Sequence, residues 1–166
     1  MKSLQENMLE YKKQLQKGAI QKAYQGLMEY MQGLKNHFAN QYPHYAVPAN
    51  IYYGDMDVTY FSIIPASLKA RELKIVIAFL YDPFRFEIWL SGKNKQVLKK
   101  YWEIIRQNHW DQYKTVPPEK GVYFIVEHVL ADNPDFDNLE ALTQQIERET
   151  VKFIGAIESL LAQAEA

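Results

Sequence analysis

Arg85, Glu87 and Trp89 alternate with Phe84, Phe86, Ile88 and Leu90 in one short segment. On a strand, successive side chains point to opposite faces, so the first three share one face and the apolar four share the other. Arginine offers a planar fork for a carboxylate or phosphate, and tryptophan offers a flat surface for stacking. Tyr60 and Ser62 on a preceding strand, with the short Val76 and Ala78 between, are expected to complete a shallow depression for an anionic or aromatic small ligand. The plainer use of the same residues is a solvated lattice in which Arg85, Glu87 and Lys74 neutralise one another across strands.

Other residues offer rival chemistries. Asp55 and Asp57 flank a turn at Gly54, and with Glu87 they would supply carboxylates for a metal-assisted hydrolase, the alternative to a binding domain. A metal-dependent nuclease would want an acid followed by Glu-x-Lys on the next strand, and Trp89 stands where that lysine would be. Turn acids of this kind also simply form Asx turns. His37, His44, His109 and His128 show no compact zinc-ligand spacing, and adjacent Glu127 and His128 on a strand would face opposite ways. Lys93, Lys95, Lys99 and Lys100 offer either an anion-facing cluster or a solvated helix face opposite Val97 and Tyr101. No glycine-rich phosphate loop and no Gly-x-Ser-x-Gly elbow occurs, and no cofactor is implied.

These residues need elements to position them. Ser3 with Glu6 reads as a capping box, followed by Leu4, Met8, Tyr11 and Leu15 at helical spacing and a stop at Gly18. A second helix carries Ile20, Tyr24, Leu27, Met31, Leu34 and Phe38 in a heptad-like seam. Pro43 and Pro48 bracket a loop, with a short strand expected at Ile51–Tyr53. Val58–Ile64, Leu73–Leu80 and Phe84–Leu90 read as an antiparallel meander, joined by one or two helical turns or a broad loop over 65–72 and by a tight Asp82-Pro83 turn. Helical spacing returns over 93–108. Val122–Leu130 fits a helical face as well as a strand; its β-branched and aromatic composition favours the strand. Asp137 with Glu140 reads as a second capping box, opening a final helix with Leu139, Leu142, Ile146, Phe153, Ile157 and Leu160 on one seam. The expected class is α+β: an antiparallel meander sheet packed against long amphipathic N- and C-terminal helices, in one domain over 1–166.

Composition narrows the function classes. A net charge of −1 argues against a dedicated nucleic-acid binder, because phosphate neutralisation needs a basic surface. The chain has no cysteine, which removes disulfides, thiolate metal sites and a cysteine nucleophile. Its polar start, MKSLQENMLEYKKQ, is no signal peptide, and no apolar run approaches a membrane span. A soluble, cytoplasmic protein without membrane partners is expected. Twelve tyrosines hint at amphipathic interfaces, and the helical seams leave room for a homodimer.

Three passages, GDMDVTYF at 54–61, LKIVIAFLYDPFRFEIWLSGKNK at 73–95 with KKYWEI after it, and VEHVLADNPDFDNLEALTQQIE at 126–147, resemble a prokaryotic domain-of-unknown-function family, DUF7000. The likeness runs from about Leu27 to Ile154. It implies one domain and no assigned activity, cofactor or catalytic residue. Taken alone, the residues favour a non-catalytic small-ligand-binding or protein-interaction domain, with Tyr60, Arg85, Glu87 and Trp89 as the candidate ligand site and no metal site.

Overall fold

The computed structural model describes residues 1–165. Ser3 caps α1 (Leu4–Lys17): its hydroxyl accepts the Glu6 N–H, and the Glu6 carboxylate accepts the Ser3 N–H, so the expected capping box forms. Gly18, left-handed at φ 81°, closes α1 and opens α2 (Ala19–Gln41) without an intervening loop. Strand β1 (Tyr45–Ala46) leads to β2 (Val58–Pro65), one turn of helix α3 (Ala66–Lys69), β3 (Leu73–Leu80) and β4 (Arg85–Gly92). Then come α4 (Lys95–Gln107), β5 (Lys114–Thr115), β6 (Phe124–Asp132) and α5 (Leu139–Ala164). The strands form one six-stranded sheet in the order β1-β2-β3-β4-β6-β5, every neighbouring pair antiparallel. The architecture is α+β, with the meander β2-β3-β4 at its centre.

Register explains why one face is core. Phe61 pairs with Ile77 and Ile77 with Ile88, while Ile63, Ile75 and Leu90 form the next row. These rows share one buried cluster with Met31, Leu34 and Phe38 of α2, Leu98 and Ile105 of α4, and Ile146, Phe153 and Ile157 of α5. Val76 and Ala78, on the opposite face, lie outside that cluster. All three helices therefore cover the same side of the sheet. Each fully buried aliphatic or aromatic side chain contributes about 1.5–3 kcal/mol, which suffices to hold the alternating strands in register. Among the described residues no helix is long and apolar enough to cross a membrane.

Four local expectations need correction. Phe84 is neither strand nor core: it sits in the turn after Pro83 with φ 55° and is half exposed. The period-two pattern runs one residue past the true start of β4, because a turn residue matches an alternation by chance. Ile51–Tyr53 gives only a single bridge, Tyr52 with Tyr60, since the chain turns immediately afterwards at Gly54. The cap of α5 is Asn138, whose Oδ1 accepts the Ala141 N–H; Asp137 lies one residue outside, its N–H held by Asp135 in the preceding turn. The seams at 20–38 and 139–160 turn into the core from Leu27 and Leu142 onward, but their first residues, Ile20 and Leu139, stay exposed. The ambiguous segment over 122–130 is the strand β6, offset to 124–132.

Polar ties fasten α5 to the rest. Glu147 accepts from the Tyr42 hydroxyl and meets His37 Nε2, both at 2.8 Å. Burial alone would raise the Glu147 carboxyl, but the hydrogen bonds from His37 and Tyr42 outweigh it and hold the pKa below the usual range. The Tyr42 phenol is pushed up to about 12 by burial and then by its bond to Glu147. Thr150, fully buried in α5, has a hydroxyl with no hydrogen-bond partner among the described residues. A buried unpaired hydroxyl is unfavourable, and valine keeps the shape without it. Thr150→Val is therefore expected to raise stability by about 0.5–1 kcal/mol in urea unfolding; a loss of stability would mean that the hydroxyl is satisfied after all.

Candidate functional site

The outer sheet face carries the residues singled out by type. Glu87 is 4% exposed and both its oxygens are engaged. Arg85 Nε donates to Oε2 at 2.8 Å and Trp89 Nε1 donates to Oε1 at 2.9 Å. The bond to Glu87 raises the Arg85 pKa above its ordinary value. Across β6, Lys114 Nζ lies 2.7 Å from Glu127. These four charged residues line a depression of about 270 Å³ with His128 and Val129. Two cations face two carboxylates there, so the charges cancel within the protein.

Tyr60 stands opposite Ala78, and Ala78 opposite Glu87, so the expected rows exist. Their rings, however, are taken up locally. Tyr60 stacks on Tyr52 with centroids 4.9 Å apart and lines a different depression with Ser62 and Lys74. Trp89 stacks on Phe124 at 4.5 Å. Between them Val76 and Ala78 are buried, so no open floor joins the two sides. Arg85, Glu87 and Trp89 are thus brought together as one hydrogen-bonded unit, with Tyr60 standing apart from it.

The carboxylates of the hydrolase alternative do not gather. Asp57 Oδ1 accepts the N–H of Asp55, two residues back, at 2.9 Å, and its pKa is lowered by that and neighbouring backbone N–H groups; the carboxylate is used inside the turn, in the reverse sense of an Asx turn. Gly54 makes this turn possible: at φ 70°, an added Cβ would lie 2.1 Å from the Val58 carbonyl oxygen. Among the described residues no three of the types histidine, aspartate and glutamate cluster as a metal set. Glu127 and His128 do face opposite ways, His128 toward Glu149 of α5 at 3.5 Å. Of the lysine group, Lys93 pairs with Glu72, Lys95 bonds the carbonyls of Glu119 and Val122, and Lys99 and Lys100 are exposed on α4.

A second site was not legible by residue type. On the helix side, at the end of the sheet where β3 turns into β4, lies an apolar cleft of about 460 Å³. Its walls are Tyr24 and Leu27 of α2, Phe79 and Tyr81 at the end of β3, and Phe136 in the turn before α5, with Leu139 at its edge. Ile20, Met56 and Phe84 complete its edge. Few polar groups enter it. The Thr59 hydroxyl donates to the Tyr53 carbonyl at 2.7 Å, so the Tyr81 hydroxyl, also 2.7 Å away, donates to Thr59. Burial pushes the Tyr81 phenol up. Met56 and Phe84 are both left-handed, at φ 62° and 55°. Bulky apolar residues at turn positions were the available signal, because a turn normally hands such places to Gly, Asn or Asp.

A family model described as a domain of unknown function (DUF7000) matches residues 4–161. No curated protein and no solved structure matches the chain. Since the model spans the chain from the first turn of α1 to the last turns of α5, the chain belongs to the DUF7000 family.

Proposed function

We propose that the chain is a non-catalytic protein-interaction domain whose apolar cleft receives an amphipathic helix. One observation carries the reading: four large apolar side chains on the cleft edge, Ile20, Met56, Phe84 and Leu139, are 40–50% exposed. A small-molecule site buries most of its ligand's surface and fixes it with a few placed polar groups. An open apolar patch is instead the mark of a protein contact, and a helix lays such a face into a groove through side chains three and four residues apart. Left-handed backbone at a bulky residue costs on the order of 1–3 kcal/mol. Met56 and Phe84 both carry that cost to stand at the cleft. On the outer face, by contrast, Arg85, Glu87, Lys114 and Glu127 are already paired with each other, which favours a lattice over a ligand site.

The test is a titration of the labelled chain, at low concentration, with a designed amphipathic helical peptide of leucine, alanine and lysine. Saturable binding is expected, with affinity weakened about tenfold or more by Phe84→Asp. Binding that ignores Phe84→Asp, or no saturable binding, would sink the proposal.

A further inference from the structure

Helix α1 has an apolar stripe that nothing among the described residues buries. None of its residues is buried, and Leu4, Met8 and Tyr11 are 77%, 50% and 47% exposed. A lone helix of fewer than about 15 residues is marginal in water, so α1 needs a partner surface. Its own chain cannot readily offer the cleft. The Gly18 N–H bonds the Leu15 carbonyl at 3.1 Å, and the Gln21 side chain bonds the same oxygen at 2.8 Å. Both bonds tie the end of the arm to the start of α2, and no residue of α1 lines the cleft.

We propose that the helix received by the cleft is α1 of a second copy of this chain, docked reciprocally in a twofold dimer. This rests on the protein-interaction reading of the cleft and names its occupant. Charge favours the match. Asp55 and Asp57 flank Met56, Asp82 lies two residues before Phe84, and Asp135 and Asp137 flank Phe136, while Lys22 lines the α2 side. The arm is divided in the complementary sense: Lys12, Lys13 and Lys17 occupy its second half and Glu6 and Glu10 its first. Its basic half meets the acidic turns, and its acidic half meets Lys22. Area favours it too. Leu4, Met8, Tyr11 and Leu15 from both copies, at roughly 60–120 Å² each with an equal area of cleft, bury about 1,000–1,900 Å². A stable specific interface needs about 1,200–2,000 Å². Reciprocal docking closes the assembly at two copies.

Sedimentation equilibrium of the full chain tests it. The wild type is expected to have twice the 19.5 kDa chain mass, and Met8→Asp or Phe84→Asp alone to weaken dimerisation by about tenfold or more. Met8 and Phe84 are both exposed, so both variants should fold; Leu139→Asp, from another element of the cleft, should repeat the Phe84→Asp result. Mixing the two single variants should give more dimer than either alone, because one of the two arm–cleft contacts is then intact. A monomeric wild type overturns the proposal, and if the designed peptide still binds, the interaction reading survives it. A dimer indifferent to Phe84→Asp and Leu139→Asp also overturns it, since the arms would then pair with each other.

Discussion

Phe86→Ala is expected to cost about 4 kcal/mol of folding stability, within the 3–5 kcal/mol range for deleting a buried aromatic ring. The ring is fully buried where the sheet, α2 and α5 meet. Tyr30 approaches it edge-on at 5.8 Å, Phe79 packs beside it at 5.1 Å, and Phe136 lies at 6.2 Å. These partners come from α2, β3 and the turn before α5, so none can collapse into the space without moving the segment that carries it. The cavity term should therefore be near its maximum, and the melting temperature should fall by about 8–16 °C. In urea unfolding the midpoint should drop with the slope unchanged. Phe79 and Phe136 also wall the cleft, so peptide binding should weaken in the same variant. Phe84→Ala, two positions away, should cost under about 1 kcal/mol because that ring is half solvated. Equal losses at Phe84 and Phe86 would contradict this account of the core.

That pair of phenylalanines marks where sequence periodicity stops being informative. From Phe86 to Leu90 the alternation reports burial faithfully, because a paired strand fixes the direction of each side chain. At Phe84 the same spacing continues through a turn, where direction follows φ and ψ. Capping shows a similar limit. Ser3 and Glu6 meet as their types suggest, but Asn138 takes the cap that Asp137 and Glu140 seemed to define, because the 133–138 turn sets which residue reaches the helix. The two-residue strands β1 and β5 are too short to carry a period and exist only through their partners β2 and β6. Of the outer face, the i, i+2 grouping of Arg85, Glu87 and Trp89 was legible; the stacking of Trp89 on Phe124, from a strand 35 residues away in sequence, was not. The cleft was the least legible feature. It is assembled from α2, the 54–57 turn, the β3–β4 turn and the start of α5, and each contributes apolar residues that alone read as ordinary core.

Glu87→Ala is expected to destabilise the fold by about 2 kcal/mol, the next largest single effect. Two hydrogen bonds to an ionised carboxylate vanish together, and each charge-assisted bond is worth more than a neutral one. Trp89 loses its acceptor while its ring stays stacked on Phe124, so its N–H is left poorly solvated. Arg85 fares better, since its side chain is 35% exposed and can regain water, which keeps the loss below the 3–5 kcal/mol of a fully buried broken pair. Glu87→Gln retains an acceptor for Trp89 but turns an amide toward Arg85, and should cost about half as much. A double-mutant cycle with Arg85→Ala separates the pair from its surroundings. A coupling of about 1 kcal/mol or more is expected, because Arg85→Ala alone strands a carboxylate that is 4% exposed. Coupling near zero would reduce the unit to a solvated charge lattice. The cleft lies on the helix side of the sheet and Glu87 on the other, so peptide affinity should be unchanged in folded Glu87→Ala. If affinity instead falls with Glu87, the two faces are linked through Phe86 and Ala78, and the outer unit serves to brace the cleft.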